Sequence, residues 1–152
     1  MTLKFEEIRE NNNLNQRQMA KTLKVSKSTY NYYESGERFM PLERLNDYCN
    51  RFSVSADYVL GLSSNNVVPK ENFVFDPKIT AERIKIIRLK KKLTQEKLAK
   101  KFNTSQSTIS GYETNRTVIL TLFVYDMCKK YNISIDYIMG RSNTMQIFTG
   151  KK

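Results

Sequence analysis

SQSTISGYETNR, residues 105–116, follows the same pattern as SKSTYNYYESGE, residues 26–37, earlier in the chain. Each stretch opens on a serine that can cap a helix, and apolar or aromatic side chains then recur at helical spacing. The shift that superposes the two stretches also aligns residues 3–63 with residues 82–142 without a gap. The chain is therefore predicted to contain two copies of one small unit, each large enough to fold alone.

The repeat divides the chain into four segments. Residues 1–64 form module one and residues 79–142 form module two, with a linker at 65–78 and a tail at 143–152. The linker contains paired asparagines and two prolines, which argue against a continuous helix. Its VV and FVF stretches are too apolar for a free tether, so we expect the linker to pack partly against a module. The tail has no strong pattern.

Hydrophobic spacing within each module predicts five helices. In module one Asn15 is a predicted N-cap with Gln18 as its capping-box partner, and Ser26 and Ser55 are predicted to cap the third and fifth helices. Ser105 takes the role of Ser26 in module two. The predicted fold class is therefore all-α, with two tandem five-helix domains.

The charge of the chain is unevenly distributed. There are 26 basic and 15 acidic side chains, which give a net charge of +11. Module one has a net charge of +1, the linker has none, and residues 79–152 have +10. Because a basic surface releases counterions when it neutralises phosphates, this balance suits a polyanionic partner. We expect the C-terminal half to supply most of the non-specific attraction.

Composition also argues against several classes of function. The chain has no histidine, and its two cysteines, Cys49 and Cys128, lie at equivalent positions of the repeat. Two buried apolar side chains explain this pair better than a disulfide or a zinc site. Without a glycine-rich phosphate loop or a carboxylate cluster, we expect no enzyme, catalytic residue, cofactor, metal or small-molecule substrate. No signal peptide or membrane span is evident, so a cytoplasmic protein without a membrane partner is expected.

Two longer stretches decide the family resemblance. LNQRQMAKTLKVSKSTYNYYESGER, followed by VSADYVLG, and LTQEKLAKKFNTSQSTISGYETNR, followed by ISIDYIMG, resemble the Cro/phage-repressor (Xre-type) helix-turn-helix family. The resemblance covers both modules nearly end to end. It implies two lambda-repressor-like domains that bind a double-stranded DNA operator. It also implies structural salt bridges between Arg9 and Glu34 and between Arg88 and Glu113, which would tie the first helix of each module to the third.

The third helix of each module is the predicted recognition helix, because its N-terminal, outward residues can reach base edges in the major groove. The resemblance implies that the first two and the last residue of each set below are base-reading positions. The candidates are Lys27, Ser28, Asn31 and Tyr32 in module one and Gln106, Ser107, Ser110 and Gly111 in module two.

Phosphate contacts are predicted at two further places in each module. Gln16 and Gln95 begin the second helix, where N-terminal amides suit a phosphate, as the resemblance also implies. Arg38 and Arg116 follow the third helix and are further candidates. The alternative for these two arginines is that they are simply solvated.

The segment TVILTLFVYDMC, residues 117–128, is more apolar than its counterpart in module one. A five-helix module is expected to bury one face of it, and a surplus apolar face usually marks an interface. We therefore predict a homodimer through module two, with the linker or the tail as the alternative cover for this face. The expected buried face is Leu120, Val124, Met127 and Cys128, and the predicted interface residues are Val118, Ile119, Phe123 and Tyr125.

These features together predict a sequence-specific DNA-binding transcriptional regulator, a repressor from a bacterium, a phage or a mobile element. Since the two recognition helices differ, two identical half-sites are not expected. The alternative is that one module binds DNA while the other serves as a dimerisation or protein-interaction domain, as in antitoxin-like proteins or phage-encoded inhibitors.

Overall fold

A computed structural model describes residues 2–147, which fold into ten α-helices. The two predicted five-helix modules are confirmed, and among the described residues the β pairing is limited to one isolated bridge between Ile133 and Gln146. The helices of module one are α1 (Phe5–Asn11), α2 (Gln16–Leu23), α3 (Lys27–Ser35), α4 (Leu42–Phe52) and α5 (Ala56–Val59). Those of module two are α6 (Pro77–Lys90), α7 (Gln95–Lys101), α8 (Gln106–Glu113), α9 (Thr121–Tyr131) and α10 (Ile135–Met139). None of the described helices is long and apolar enough to cross a membrane.

The predicted caps fix where α2, α3 and α8 begin. Asn15 and Gln18 form a capping box, in which each backbone N–H donates to the other side chain at 2.8 Å. The hydroxyl of Ser26 accepts the Thr29 N–H at 3.0 Å, and that of Ser105 accepts the Thr108 N–H at 3.1 Å. Because these bonds satisfy amides that the helix leaves unpaired, α3 and α8 start at equivalent positions of the repeat.

A hydrogen-bonded ion pair ties the first helix of each module to its third. Arg9 Nε donates to Glu34 at 2.9 Å, and Arg88 Nε donates to Glu113 at 2.6 Å. All four side chains are largely buried, and each arginine also donates to the backbone carbonyl of a leucine before the next helix. The structure thus gives these pairs the tethering role that the family resemblance implies.

The two modules dock through their last helices, and the docking is reciprocal. Asp136 of α10 accepts the backbone N–H groups of Ala56 and Asp57 at 3.0 and 2.9 Å. Asp57 of α5 accepts the backbone N–H of Ile135 at 2.7 Å and the hydroxyl of Ser134 at 2.6 Å. Each aspartate therefore caps the first turn of the other module's helix. Since the two aspartates are equivalent in the repeat, the contact has the pattern of a two-fold dimer interface, built within one chain.

A second contact joins the segments that follow α3 and α8. The hydroxyl of Thr121 donates to the carbonyl of Met40 at 2.6 Å. The rings of Phe39 and Tyr125 pack with their centroids 4.9 Å apart. The end of α3 and the end of α8 therefore both lead to the boundary between the modules.

Arg141 locks the docked arrangement and breaks its symmetry. Its side chain is fully buried and donates to Asp136 at 3.0 Å and to the side-chain oxygens of Asn46 and Asn50 at 2.7 and 3.0 Å. The same two asparagines donate to the carbonyl of Phe73, which fastens the linker to module one. The equivalent residue of module one is Leu62, so this network has no counterpart across the pseudo-two-fold axis.

The linker and the described part of the tail are both held by hydrogen bonds. Asp76 caps α6, so this helix begins at Pro77, inside the segment predicted as linker. In the tail the carbonyl of Met145 accepts the backbone N–H of Ser134 at 2.8 Å, next to the isolated bridge. The last five residues of the predicted tail, 148–152, lie outside the described part of the chain.

The predicted homodimer residues need correction. Ile119 and Phe123 are buried in module two, where Phe123 packs on the rings of Phe102 and Tyr112. Tyr125 packs on Phe39 of module one, as described above. Of the four predicted interface residues, Val118 is left exposed.

The error has a structural cause. Leu120, expected to be buried, is 61% exposed and serves as the N-cap of α9. Because residues 117–120 are not helical, the 3.6-residue period cannot be extended back through them. Ile119, Phe123 and Tyr125 are thus covered within the chain, whereas Val118, Leu120 and Leu122 stay exposed.

Candidate nucleic-acid interface

The N-terminal end of α3 presents the predicted base-reading residues of module one. Lys27 and Ser28 are exposed in the first turn, while Asn31 and Tyr32 are half-buried one turn later. The guanidinium of Arg38 lies 4.3 Å from the centre of the Tyr32 ring, a cation–π contact that brings the loop residue onto the recognition helix. Module one thus offers a basic and aromatic surface.

The corresponding surface of α8 is made of amide and hydroxyl groups. Gln106 and Ser107 are exposed in the first turn, and Ser110 is half-buried. Arg116 donates to the hydroxyl oxygens of Thr114 and Ser110 at 2.9 and 3.3 Å, so its guanidinium is held across the C-terminal turn of α8. An arginine placed there can still bind a phosphate, because the exposed guanidinium has further donors.

Gly111 is buried beneath the loop that follows α8. A Cβ built on it would collide with the hydroxyl oxygen of Thr117 and lie 3.0 Å from that residue's Cβ. The DNA contact at Gly111 stays a prediction, and the loop after α8 folds back over this residue. Thr117 is exposed and occupies the place that a side chain at position 111 would take.

Gln16 and Gln95, the predicted phosphate-binding residues, are anchored to the buried ion pairs. Their side-chain amides donate to Glu34 and Glu113 at 2.8 and 3.1 Å. Burial by itself would raise the pKa of Glu34, but hydrogen bonds from Arg9, Tyr30 and Gln16 outweigh it and hold that pKa below its usual value. The carboxylate therefore stays ionised and keeps the glutamine oriented at the start of α2.

The surface before α7 accounts for part of the charge difference between the modules. Lys90, Lys91 and Lys92 are exposed and stand where module one has the asparagines of residues 11–13. Since exposed lysines attract the phosphate backbone without regard to sequence, module two is the stronger electrostatic partner for a nucleic acid.

Sequence reasoning missed the four residues that dock the modules or cover Gly111: Asp57, Asp136, Thr117 and Arg141. One signal for the aspartates was available, because both copies keep the same acidic residue in their last helix. No comparable signal pointed to Arg141 or Thr117, which match different residues in the other copy.

The comparisons with known proteins agree with this geometry. Residues 3–63 match the model of a helix-turn-helix domain, and residues 84–138 match a second helix-turn-helix model. The chain belongs to the Cro/phage-repressor (Xre-type) helix-turn-helix family. The two family domains lie in tandem, and in such domains the second helix of the motif enters the major groove of DNA. Here those helices are α3 and α8.

A curated relative of this helix-turn-helix chain comes from Bacillus subtilis (strain 168). It is described as the uncharacterized HTH-type transcriptional regulator YobD and is 28% identical over 82 residues. The match covers 54% of this chain and 65% of the relative's length. No solved structure gives a significant match.

Proposed function

We propose that this chain is a cytoplasmic transcriptional repressor of bacterial, phage or mobile-element origin that binds one double-stranded operator with both modules at once. The observation that supports this most directly is the reciprocal capping between Asp57 and Asp136, because it joins two helix-turn-helix units in the manner of a symmetric dimer. Dimeric helix-turn-helix proteins place paired recognition helices on two half-sites.

The pseudo-two-fold docking supports an inverted arrangement of the half-sites. A two-fold relation turns the second recognition helix to face the opposite direction along the duplex. Paired helix-turn-helix units usually span about 34–36 Å, one turn of DNA, between half-site centres. We therefore propose an operator whose halves are inverted and one helical turn apart.

The chemistry of α3 and α8 supports unlike half-sites. Lys27 can reach guanine acceptors, while Gln106 can pair bidentately with adenine, and each good bidentate contact is worth about 1–3 kcal/mol of discrimination. Predicted phosphate contacts from the two glutamines and two arginines would fix the register of the duplex without adding sequence information. Because the modules share one chain, weak binding at one half raises the effective concentration at the other.

This arrangement needs one chain for each operator. A homodimer remains a second proposal, supported by the exposed Val118, Leu120 and Leu122 of module two, which are 84%, 61% and 49% accessible. The same apolar surface, together with the near-neutral module one, supports the alternative in which one module binds DNA and the other a protein.

The test is selection from random duplex DNA by the full-length chain, combined with native mass spectrometry of the complex. The variants are Lys27→Ala/Ser28→Ala and Gln106→Ala/Ser107→Ala. We expect each pair to erase a different half of the selected motif, with one chain bound per duplex. If one pair has no effect, the silent module is an interaction domain. Absence of any enriched motif would contradict the regulator function.

A further inference from the structure

The two recognition surfaces differ most at one position. Tyr32 lies one turn after Ser28 on α3, and Gly111 lies one turn after Ser107 on α8. Residues four apart on a helix share a face, so these positions continue the surface that begins at the exposed serines. Module two has no side chain of its own at that place.

A loop residue fills the gap in module two. The side chain of Thr117 occupies the space that a Cβ on Gly111 would require, because such a Cβ would collide with the hydroxyl oxygen of Thr117. Gly111 is buried, whereas Thr117 is exposed. The outermost group at this point of module two is therefore a threonine that comes from the loop after the recognition helix.

The same loop position is used in module one with different chemistry. Arg38 is the counterpart of Thr117, and its guanidinium stacks on Tyr32. The backbone bonds are also equivalent, since the N–H of Arg38 donates to the carbonyl of Tyr32 at 3.2 Å and the N–H of Thr117 donates to that of Gly111 at 3.2 Å. Tyr32 with Arg38, and Gly111 with Thr117, are thus two versions of one helix–loop pair.

We propose that this helix–loop pair is a specificity-determining unit, and that Thr117 reads a base pair in the half-site bound by module two. The inference rests on the proposed function, because it assumes that α8 enters the major groove. A threonine hydroxyl can donate to or accept from a base edge. Thr117 thereby supplies the group that the recognition helix lacks.

A purely structural role predicts something different. If Thr117 only covers Gly111, an isosteric valine would cover it equally well and leave base preference unchanged. If Thr117 touches only phosphate, its loss would weaken all sequences alike. If Thr117 reads a base, replacing it should change the base preference at one position of the operator and leave the preference at all other positions unchanged.

The experiment measures binding of full-length Thr117→Val to the selected operator and to a panel of duplexes with single base-pair changes. Valine keeps the shape of threonine and removes the hydroxyl. We expect the preference at one position of the second half-site to fall about fivefold, the lower end of a direct base contact. Thr144→Val is the matched control, because Thr144 is also exposed but lies in the tail.

A transplant of the pair provides the second arm. Gly111→Tyr alone should lower Tm, because the ring meets Thr117, and Gly111→Tyr/Thr117→Arg should restore Tm. The double variant should also shift the preferred base at that position toward the one selected by module one. An unchanged base profile in Thr117→Val, or an equal loss over the whole panel, would overturn the role of Thr117. Failure of the wild-type chain to select any motif would instead defeat the proposed function, and the inference with it.

Discussion

Asp57 and Asp136 show how a single residue type can join two domains. Each carboxylate accepts two hydrogen bonds from the other module, and at least one comes from a backbone N–H at a helix start. Burial, followed by the charge of Asp136, raises the pKa of Asp57 to about 7, well above its ordinary value of 3.8. The folded protein therefore binds this proton more tightly than the unfolded chain does.

The sign of the pH dependence follows from that shift. The stabilisation linked to the Asp57 proton is complete below about pH 4 and is lost as the pH rises through about 7. We expect Tm to rise when the pH is lowered from 8 to 6, and Asp57→Asn to flatten this dependence by removing the titrating group. Calorimetry at several pH values measures the dependence of Tm on pH. Asp47→Asn, which alters an exposed carboxylate, should leave the slope as in wild type. If Asp57→Asn kept the wild-type change of Tm with pH, the assignment of this dependence to Asp57 would be refuted.

At the scale of the element, local signals were sufficient where a helix start depends on its own residues. The N-caps at Asn15, Ser26 and Ser105 were all predicted and are confirmed, because a capping bond spans three residues. The start of α9 was not predicted, since Leu120 replaces the proline that marks α4 in module one. The contact of the loop with Gly111 was not predicted either, because a loop that folds over a helix leaves no periodic pattern in the sequence.

The cap of α8 gives a prediction at this scale. Ser105→Ala removes the acceptor for the Thr108 N–H and should lower the free energy of unfolding by about 1 kcal/mol. Ser105→Asp keeps an acceptor at the same place and should retain most of the stability. Urea titration followed by circular dichroism measures both variants. Equal losses in the two would show that the serine acts through something other than capping.

At the scale of the whole molecule, the repeat predicted two modules but not how they meet. The docking bonds join residues 77 to 80 positions apart, and both ends lie in short helices whose local patterns are complete without them. The role of Arg141 could not be predicted from the repeat either, because its counterpart in module one is Leu62. The homodimer was predicted from a real apolar surplus, part of which the chain covers itself through Phe39 and the core of module two.

Rigid docking should make binding depend on the distance between half-sites. Inserting about five base pairs rotates one half-site to the opposite side of the duplex, since a helical turn is about 10–10.5 base pairs. The docked wild-type chain should lose the second contact and bind the lengthened operator much more weakly. The variant Asp57→Ala/Asp136→Ala removes the reciprocal caps and leaves the buried Arg141 without its carboxylate partner, so the docking should loosen and the chain should tolerate the insertion better.

Titrations with operators of graded spacing measure this effect, and Asp47→Ala/Asp126→Ala is the matched control. Those two aspartates are equivalent in the repeat and exposed, so the control removes the same charge without touching the docking contact. It should keep the wild-type dependence on spacing. Wild-type binding that is indifferent to spacing would mean that the modules do not act as a fixed pair on DNA. The pseudo-dimer would then hold the fold together without setting the geometry of the operator.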